Sequence, residues 1–313
     1  MINIIIKKIR EIFRRIVLKF GFFSKVKIYF NKNIYEFHKA HESDMLTEIA
    51  VKGFESYESA VVGLLKNYPF SVGTFIDGGA NIGFYSVLAS SIFEKADVIA
   101  VEPHPVTARY LRELRDRNKL NFKIFEAALD NHNGRKNLFF PTNNKLSKYS
   151  SIASLNNYFK GTDGKFNYMP YDKIMVNTLK LDSLLDDKNI PVIIKLDCEG
   201  NEFDILNSSK KIISRNNIDF IVEILIGDKN KNEVFELFSK NGYNAFLITN
   251  AGLVKENRPL TLPNPNRNDR TLWKNHFFSK KSLNDLENFS RKKLGELYLN
   301  LKIIKYQNIL TNS

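Results

Sequence analysis

Apolar and polar positions along the chain follow two rhythms. In residues 2–20, INIIIKKIREIFRRIVLKF, the apolar positions Ile2, Ile5, Ile6, Ile9, Ile12, Phe13, Ile16, Val17 and Phe20 recur at helical spacing, and basic residues fill much of the rest. Residues 43–67 keep a helical rhythm up to Asn67-Tyr68-Pro69. Short apolar runs then alternate with amphipathic stretches. The runs predict strands over Thr74–Asp77, Val98–Val101, Phe122–Leu129, Val192–Asp197, Phe220–Leu225 and Tyr243–Thr249. The amphipathic stretches predict helices over Phe84–Phe93, Pro105–Leu120, Glu202–Arg215 and Asn232–Lys240, with residues 130–134 as a turn. Such alternation predicts an α/β fold, a mostly parallel central sheet with helices on both faces. Residues 141–173 are polar with little periodicity and read as an excursion over the face where the strands end; residues 282–310 read as a C-terminal helix or helix pair. The divisions are therefore a basic amphipathic segment at 1–40, a core at 41–255 and a partly helical extension at 256–313.

Charge changes the picture only at the ends. Of 313 residues, 47 are Lys or Arg and 34 Asp or Glu, a net charge of +13 that is spread along the chain except in the first thirty residues and the last quarter. With 43% apolar and 26% charged residues the chain is globular rather than disordered. The single cysteine, Cys198, excludes an intrachain disulfide framework and a cysteine-rich zinc site, and points to a reducing, cytoplasmic setting. Residues 2–20 carry too many charges to span a bilayer and lack the apolar core and small-residue cleavage site of a signal peptide. Two readings stay open for them: a helix packed on the domain or on a second subunit, or peripheral contact with the inner face of a membrane.

The first strand runs into FIDGGANIG at 75–83 and then into a helix. A dinucleotide loop wants G-x-G-x-x-G so that backbone can approach a pyrophosphate. Here Gly78, Ala80 and Gly83 hold those positions, the middle glycine is missing, and Asp77 ends the strand. An anionic Asp77 repels a pyrophosphate but suits a phosphate-free ligand with an ammonium group, as in S-adenosylmethionine. Gly78 and Gly79 would let the chain pass close to such a ligand; the alternative is a glycine turn that serves only strand–helix packing. Glu102 ends the second strand, where a carboxylate can accept from two ribose hydroxyls. Leu129 and Asp130 could flank an adenine, or simply end a strand.

Residues 192–202, VIIKLDCEGNE, deliver Lys195, Asp197, Glu199 and Glu202 to the same edge of the sheet. Clustered carboxylates raise one another's pKa, which suits a general base, and Lys195 offsets that repulsion. Glu202 can equally cap the following helix.

These stretches, with FESYES at 54–59, VIAVEPHP at 98–105, AALDNHNG at 127–134, SSIASL at 150–155, LKLDSL at 179–184 and IIKLDCEGNEFDIL at 193–206, make the chain resemble the FkbM-type methyltransferases, over roughly residues 53–225. The resemblance implies a Rossmann-like class I fold and S-adenosylmethionine-dependent O-methylation, often of a sugar or glycan hydroxyl. It implies cofactor contacts by Asp77, Gly79, Asn81 and Glu102, a reaction centre at Asp197 and Glu199, and an acidic-aromatic element at Tyr57 and Glu58. Cys198 stands where the family more usually has an aliphatic residue.

An alcohol needs a base to become a good nucleophile. Asp197 is the first choice, then Glu199, then His104, whose neighbouring Pro105 also suits an ordinary turn. A divalent metal held by Asp197, Glu199 and Glu202 is a less favoured route. Tyr149, Tyr158, Phe159, Tyr168 and Tyr171 in the 141–173 excursion could stack on a sugar acceptor or pack on the domain. The competing functions are a nucleic-acid methyltransferase, for which the charge speaks and LDCEG in place of an Asn/Asp-Pro-Pro-aromatic element speaks against, and a non-enzymatic membrane-docked protein on the same fold.

Overall fold

The computed structural model describes residues 25–38, 44–142, 153–156, 170–186, 189–224, 228–249, 252–259, 274–282 and 284–286. The expected helices at 2–20 and over most of 282–310 lie outside the described residues, as do Tyr149, Tyr158, Phe159 and Tyr168.

Residues 25–38, assigned from sequence to the basic N-terminal segment, form an antiparallel hairpin of β1 (Lys25–Phe30) and β2 (Asn33–His38). Ile28, Phe30, Tyr35 and Phe37 point into the core, while Lys25, Lys27, Tyr29 and Ile34 face out. Asn31 and Lys32 have φ of 45° and 66°, the left-handed pair that matches the twist of a two-residue hairpin turn. The expected helical run at 43–67 is broken into α1 (Asp44–Lys52), a 3-10 turn at Phe54–Ser56 and α2 (Ser59–Lys66), because Gly53 and Glu58 both take positive φ.

From there the chain alternates as expected: β3 (Thr74–Gly78), α3 (Phe84–Ile92), β4 (Asp97–Val101), α4 (Pro105–Arg117) and β5 (Phe122–Phe125). The expected third strand splits after Phe125. Ala128–Leu129 become β6 of a separate three-stranded sheet with β7 (Gly134–Pro141) and β8 (Tyr171–Leu179), in the order β6-β8-β7. β9 (Val192–Leu196) follows, then α5 (Glu202–Ser208) and α6 (Lys210–Ser214) in place of one expected helix. At their junction the Ser209 hydroxyl donates to the Ile205 carbonyl at 2.6 Å, a local bond that competes with helix continuation. β10 (Ile218–Glu223), α7 (Lys231–Lys240), β11 (Asn244–Thr249), β12 (Gly252–Glu256) and β13 (Asn275–Ser279) complete the chain.

The main sheet has the order β12-β11-β13-β10-β9-β3-β4-β5. β10, β9, β3, β4 and β5 are parallel neighbours, and β13 runs antiparallel between β10 and β11. The sequence reading closed the core at residue 255, yet β13 lies inside the sheet, so the core takes a strand from the C-terminal extension. Alternate side chains serve opposite faces: Phe75, Ile193 and Ile221 pack with α2, α3 and α4 on one side, and Ile76, Ile194 and Phe220 pack with α5, α6 and α7 on the other. Each such fully buried side chain contributes roughly 1.5–3 kcal/mol. The fold is the expected α/β arrangement, a mostly parallel sheet of Rossmann-like order with helices on both faces. Among the described residues no helix is long and apolar enough to cross a membrane.

Two glycines show what packing adds to backbone conformation. Gly79 (φ +79°) and Gly242 (φ +80°) are conformationally alike, but a Cβ on Gly79 would sit 1.9 Å from the Asp197 carbonyl oxygen, while one on Gly242 meets nothing within 4 Å. Gly242→Ala should cost about 1 kcal/mol, the left-handed penalty alone. Gly79→Ala should cost about 3 kcal/mol or more because β3 and the chain leaving β9 must separate. Denaturant unfolding of both variants measures the difference.

Candidate active site

Strand order reverses at β3. β4 and β5 lie to one side of it and β9 and β10 to the other, so the chain ends leaving β3, β4 and β9 diverge and open a crevice at the carboxyl edge of the sheet. A cavity of about 270 Å³ occupies it. Of the residues singled out in the sequence, Gly79, Ala80, Asn81, Glu102, Leu129, Lys195, Asp197 and Glu199 line this cavity.

At one end the wall is Gly79–Ile82, Val101–Pro103, Leu129 and Leu138. Asn81 has φ +49° and its backbone N–H donates to Glu102 Oε2 at 2.9 Å, while the backbone N–H of His104 donates to Oε1 at 2.9 Å. Burial pushes the Glu102 carboxyl up to about 7, against the pull of these two donors. Each oxygen keeps a lone pair for a hydroxyl of a bound ribose. Leu129 and Leu138 supply an apolar wall beside it. An acidic acceptor next to apolar surface fits the nucleoside of S-adenosylmethionine.

Asp77, Gly78, Gly83 and Asp130, also expected from the sequence to contact the cofactor, do not line this cavity and stand behind its wall. The Asp77 carboxylate is 1% exposed and accepts from the Ser86 hydroxyl at 2.6 Å, which ties β3 to α3. Burial pushes it up to about 6, with Lys195 and that hydrogen bond opposing. A Cβ on Gly78 would approach Leu129 to 2.7 Å, and one on Gly83 would approach Leu111 to 2.5 Å. These two glycines serve packing, the alternative reading of the loop. Asp130 is fully buried and held by Lys136, whose Nζ lies 2.7 Å from Oδ2, and by His132 at 3.1 Å. Lys136 is thus the cation that pairs with this carboxylate.

The other end of the cavity is a charge cluster. Lys195, 1% exposed, places Nζ 2.9 Å from Asp197 Oδ2 and 4.4 Å from the centre of the Tyr85 ring. Burial alone would lower its pKa, but Asp197 and further carboxylates hold it above the ordinary lysine range. For Asp197, burial raises the carboxyl, but Lys195, Lys274 and hydrogen bonding outweigh it and hold it below its ordinary value. Glu199 shows the opposite balance. Burial first and then the Asp197 charge push it up to about 8. Mutual repulsion among the clustered acids thus raises Glu199 and not Asp197, because Lys195 and Lys274 compensate Asp197 more strongly. Glu199 has φ +48°, and its carbonyl accepts from the Ser154 hydroxyl at 2.8 Å. Glu202 opens α5, but its carboxylate turns back to accept from the Cys198 N–H at 2.7 Å and ties down the turn after β9 rather than capping the helix. Among the described residues no three His, Cys, Asp or Glu side chains gather around one point that could hold a metal ion.

Glu58 does not line the cavity; it accepts from the Tyr85 hydroxyl at 2.5 Å behind it. His104 is buried, its ring edge-on to Phe140 at 5.1 Å, which is the packing expected of a turn residue. Three participants were not read from the sequence. Tyr85 and Lys274 line the cavity, and Glu223, 2% exposed at the end of β10, pairs with Lys274. Glu223 had a signal, an acid inside the apolar run DFIVEIL. Lys274 had none, since it follows a polar stretch of sequence and reaches the site only because β13 lies beside β10.

The family model for the methyltransferase FkbM domain matches residues 77–245, just over half of the chain. Among solved structures, the methyltransferase FkbM from Methylobacillus flagellatus KT is 14% identical, with 76% of this chain and 55% of that chain covered and a TM-score of 0.42. This chain therefore spans little more than half the length of that structure. The precorrin-6y C5,15-methyltransferase from Geobacter metallireducens GS-15 is 13% identical, with 71% and 85% covered and a TM-score of 0.38. A 16S rRNA methyltransferase from T. Thermophilus, solved with AdoMet and guanosine, is 11% identical, with 82% and 50% covered and a TM-score of 0.39. No curated relative matches by sequence. Since the family match runs from the end of β3 to the start of β11, through nearly all the chain that builds the crevice, this chain belongs to the methyltransferase FkbM family.

Proposed function

We propose that the chain methylates a hydroxyl oxygen of a small acceptor, a sugar or glycan, with Glu199 as the general base. The observation that carries this reading is the contrast between two carboxylates on one cavity wall. Asp197 is ion-paired and held low, whereas Glu199 forms no ion pair among the described residues and is pushed up to about 8. A base acts best when its pKa lies near the working pH, which favours Glu199 over the sequence's first choice.

S-adenosylmethionine, when bound, supplies a methyl group on a positively charged sulfur. The Gly79–Ile82 turn and Glu102 hold the nucleoside end. Asp197, fixed by Lys195, keeps a permanent negative charge where the ligand's cationic groups need one. Tyr57, Phe84 and Tyr85 line the remaining wall and offer ring faces and edges to a sugar. Glu199 takes the proton from the acceptor hydroxyl as its oxygen becomes the nucleophile. Alignment of the reacting atoms within this fixed wall supplies most of the acceleration. An RNA acceptor is not favoured at the mouth of this cavity, because its two lysines, Lys195 and Lys274, are both matched to carboxylates rather than open to phosphate.

Labelled S-adenosylmethionine, offered with free sugars, nucleotide sugars, lipid-linked glycans and RNA, should place its label in a base-stable ether on a sugar. Label in a nucleobase would overturn the reading.

The base assignment has its own test. Glu199→Gln should lower kcat by roughly 10²–10⁴-fold while cofactor binding, read by calorimetry, persists. In the intact enzyme kcat/KM for the cofactor should rise with pH through about 8, as Glu199 loses its proton, and the variant should lose that limb.

Asp197→Asn should behave differently. It leaves the ammonium of Lys195 buried without its partner, so it should lower unfolding stability by about 3 kcal/mol along with turnover. Equal stability of Asp197→Asn and the intact enzyme would remove the anchoring role given to Asp197.

A further inference from the structure

We propose that Glu199 is the residue by which the site tells the positively charged cofactor from the neutral-sulfur product: it releases its proton to solvent when S-adenosylmethionine enters and keeps it when S-adenosylhomocysteine binds. The inference rests on the proposed use of Glu199 as base and adds to it a link between cofactor charge and base ionisation.

The argument starts from how the charges around the cavity are matched. Four carboxylates and two ammonium groups converge there from four parts of the chain. The turn after β9 brings Asp197 and Glu199, β9 brings Lys195, β10 brings Glu223, the residue before β13 is Lys274, and the turn before α2 brings Glu58 beside Tyr57 and Tyr85. Lys195 is matched to Asp197 at 2.9 Å and Lys274 to Glu223 at 2.5 Å. The Tyr85 hydroxyl is matched to Glu58 at 2.5 Å. Both cations are thus engaged, and Glu199 forms no ion pair among the described residues. Glu202, the first residue of α5, adds a further acidic neighbour, its carboxyl folded back onto the Cys198 N–H.

Carboxylates therefore outnumber cations in the cluster, and on the cavity wall Glu199 is the one beside Asp197 that no cation pairs among the described residues. Its raised pKa is the same imbalance seen from the proton's side. S-adenosylmethionine and S-adenosylhomocysteine share the nucleoside and the amino-acid end and differ by the methyl and the charge on sulfur. A unit charge brought inside this cavity favours the ionised form of a carboxyl it faces. The base would then be armed when a methyl donor is present and quenched once the methyl has left. By linkage, the donor should bind better than the product as pH rises.

Isothermal titration calorimetry of the full chain in buffers of different ionisation enthalpy counts the protons, and it needs neither an acceptor nor turnover. Near pH 7.5, S-adenosylmethionine should release roughly half a proton more per site than S-adenosylhomocysteine, and the affinity ratio of the two ligands should move toward the donor by several-fold between about pH 6.5 and 8.5. Glu199→Gln should abolish both differences while still binding the product. The product serves as the control for Glu102, which both ligands cover alike. Equal proton counts for the two ligands in the intact protein would overturn the proposal without any variant. A difference that survives in Glu199→Gln would also overturn it, by moving the role to another carboxyl. Failure of both ligands to bind would strike the cofactor site itself, whereas equal proton counts with normal binding would strike this link alone.

Discussion

A lysine ammonium inside the central sheet sets the terms for the rest of the site. Lys195 sits in β9, between β3 and β10, in register with Ile221 and on the face of the sheet that Phe75 and Ile193 share. A charge there is stable only if it is paired and hydrogen-bonded. Asp197 and the face of Tyr85 supply those partners, and Asp77 stands beside it in register on β3. Once Asp197 is spent on Lys195, it is no longer a free acid. Its charge then acts on the next carboxyl along the turn, and Glu199 takes the consequence. A division of labour between two acids two residues apart thus follows from one buried cation on the preceding strand.

What the sequence made legible was whatever local chemistry decides. The parallel strands show as short apolar runs, and the turn at 75–83 shows through its small residues, so the crevice and several of its lining residues could be placed in advance. The hairpin at 25–38 was hidden because its turn is Asn31-Lys32 rather than a glycine pair, and because a basic amphipathic run leads into it. The small sheet was hidden because β7 and β8 are joined across a long polar stretch and neither shows a clean alternation. β13 was hidden because its neighbours β10 and β11 precede it in the chain and a polar stretch of sequence separates it from both. Where a side chain points across the sheet is likewise not a local property. Asp77 and Asp130 carry the residue types a ligand would want, but Ser86 and Lys136 already hold them. The order proposed for Asp197 and Glu199 as bases rests on the pairing of Asp197 with Lys195, which spacing alone does not give.

Three residues around the site adopt the left-handed conformation without being glycine: Glu58, Asn81 and Glu199. Such a residue costs on the order of 1–3 kcal/mol and persists only where its surroundings over-determine it. Each has such surroundings. The Glu58 carbonyl accepts from Val61 and Val62 N–H groups while its carboxylate takes the Tyr85 hydroxyl. The Asn81 N–H is fixed on Glu102. The Glu199 carbonyl is fixed by Ser154, whose own backbone pairs with Phe139 of β7. This last link gives the small sheet a task. It carries Ser154 to the turn after β9 and thereby braces a conformation that the turn, left to itself, would relax. The SSIASL stretch and the IIKLDCEGNEFDIL stretch lie far apart in the chain, yet they act as one element, because a strained carboxylate at the cavity wall needs a partner that its own turn does not contain.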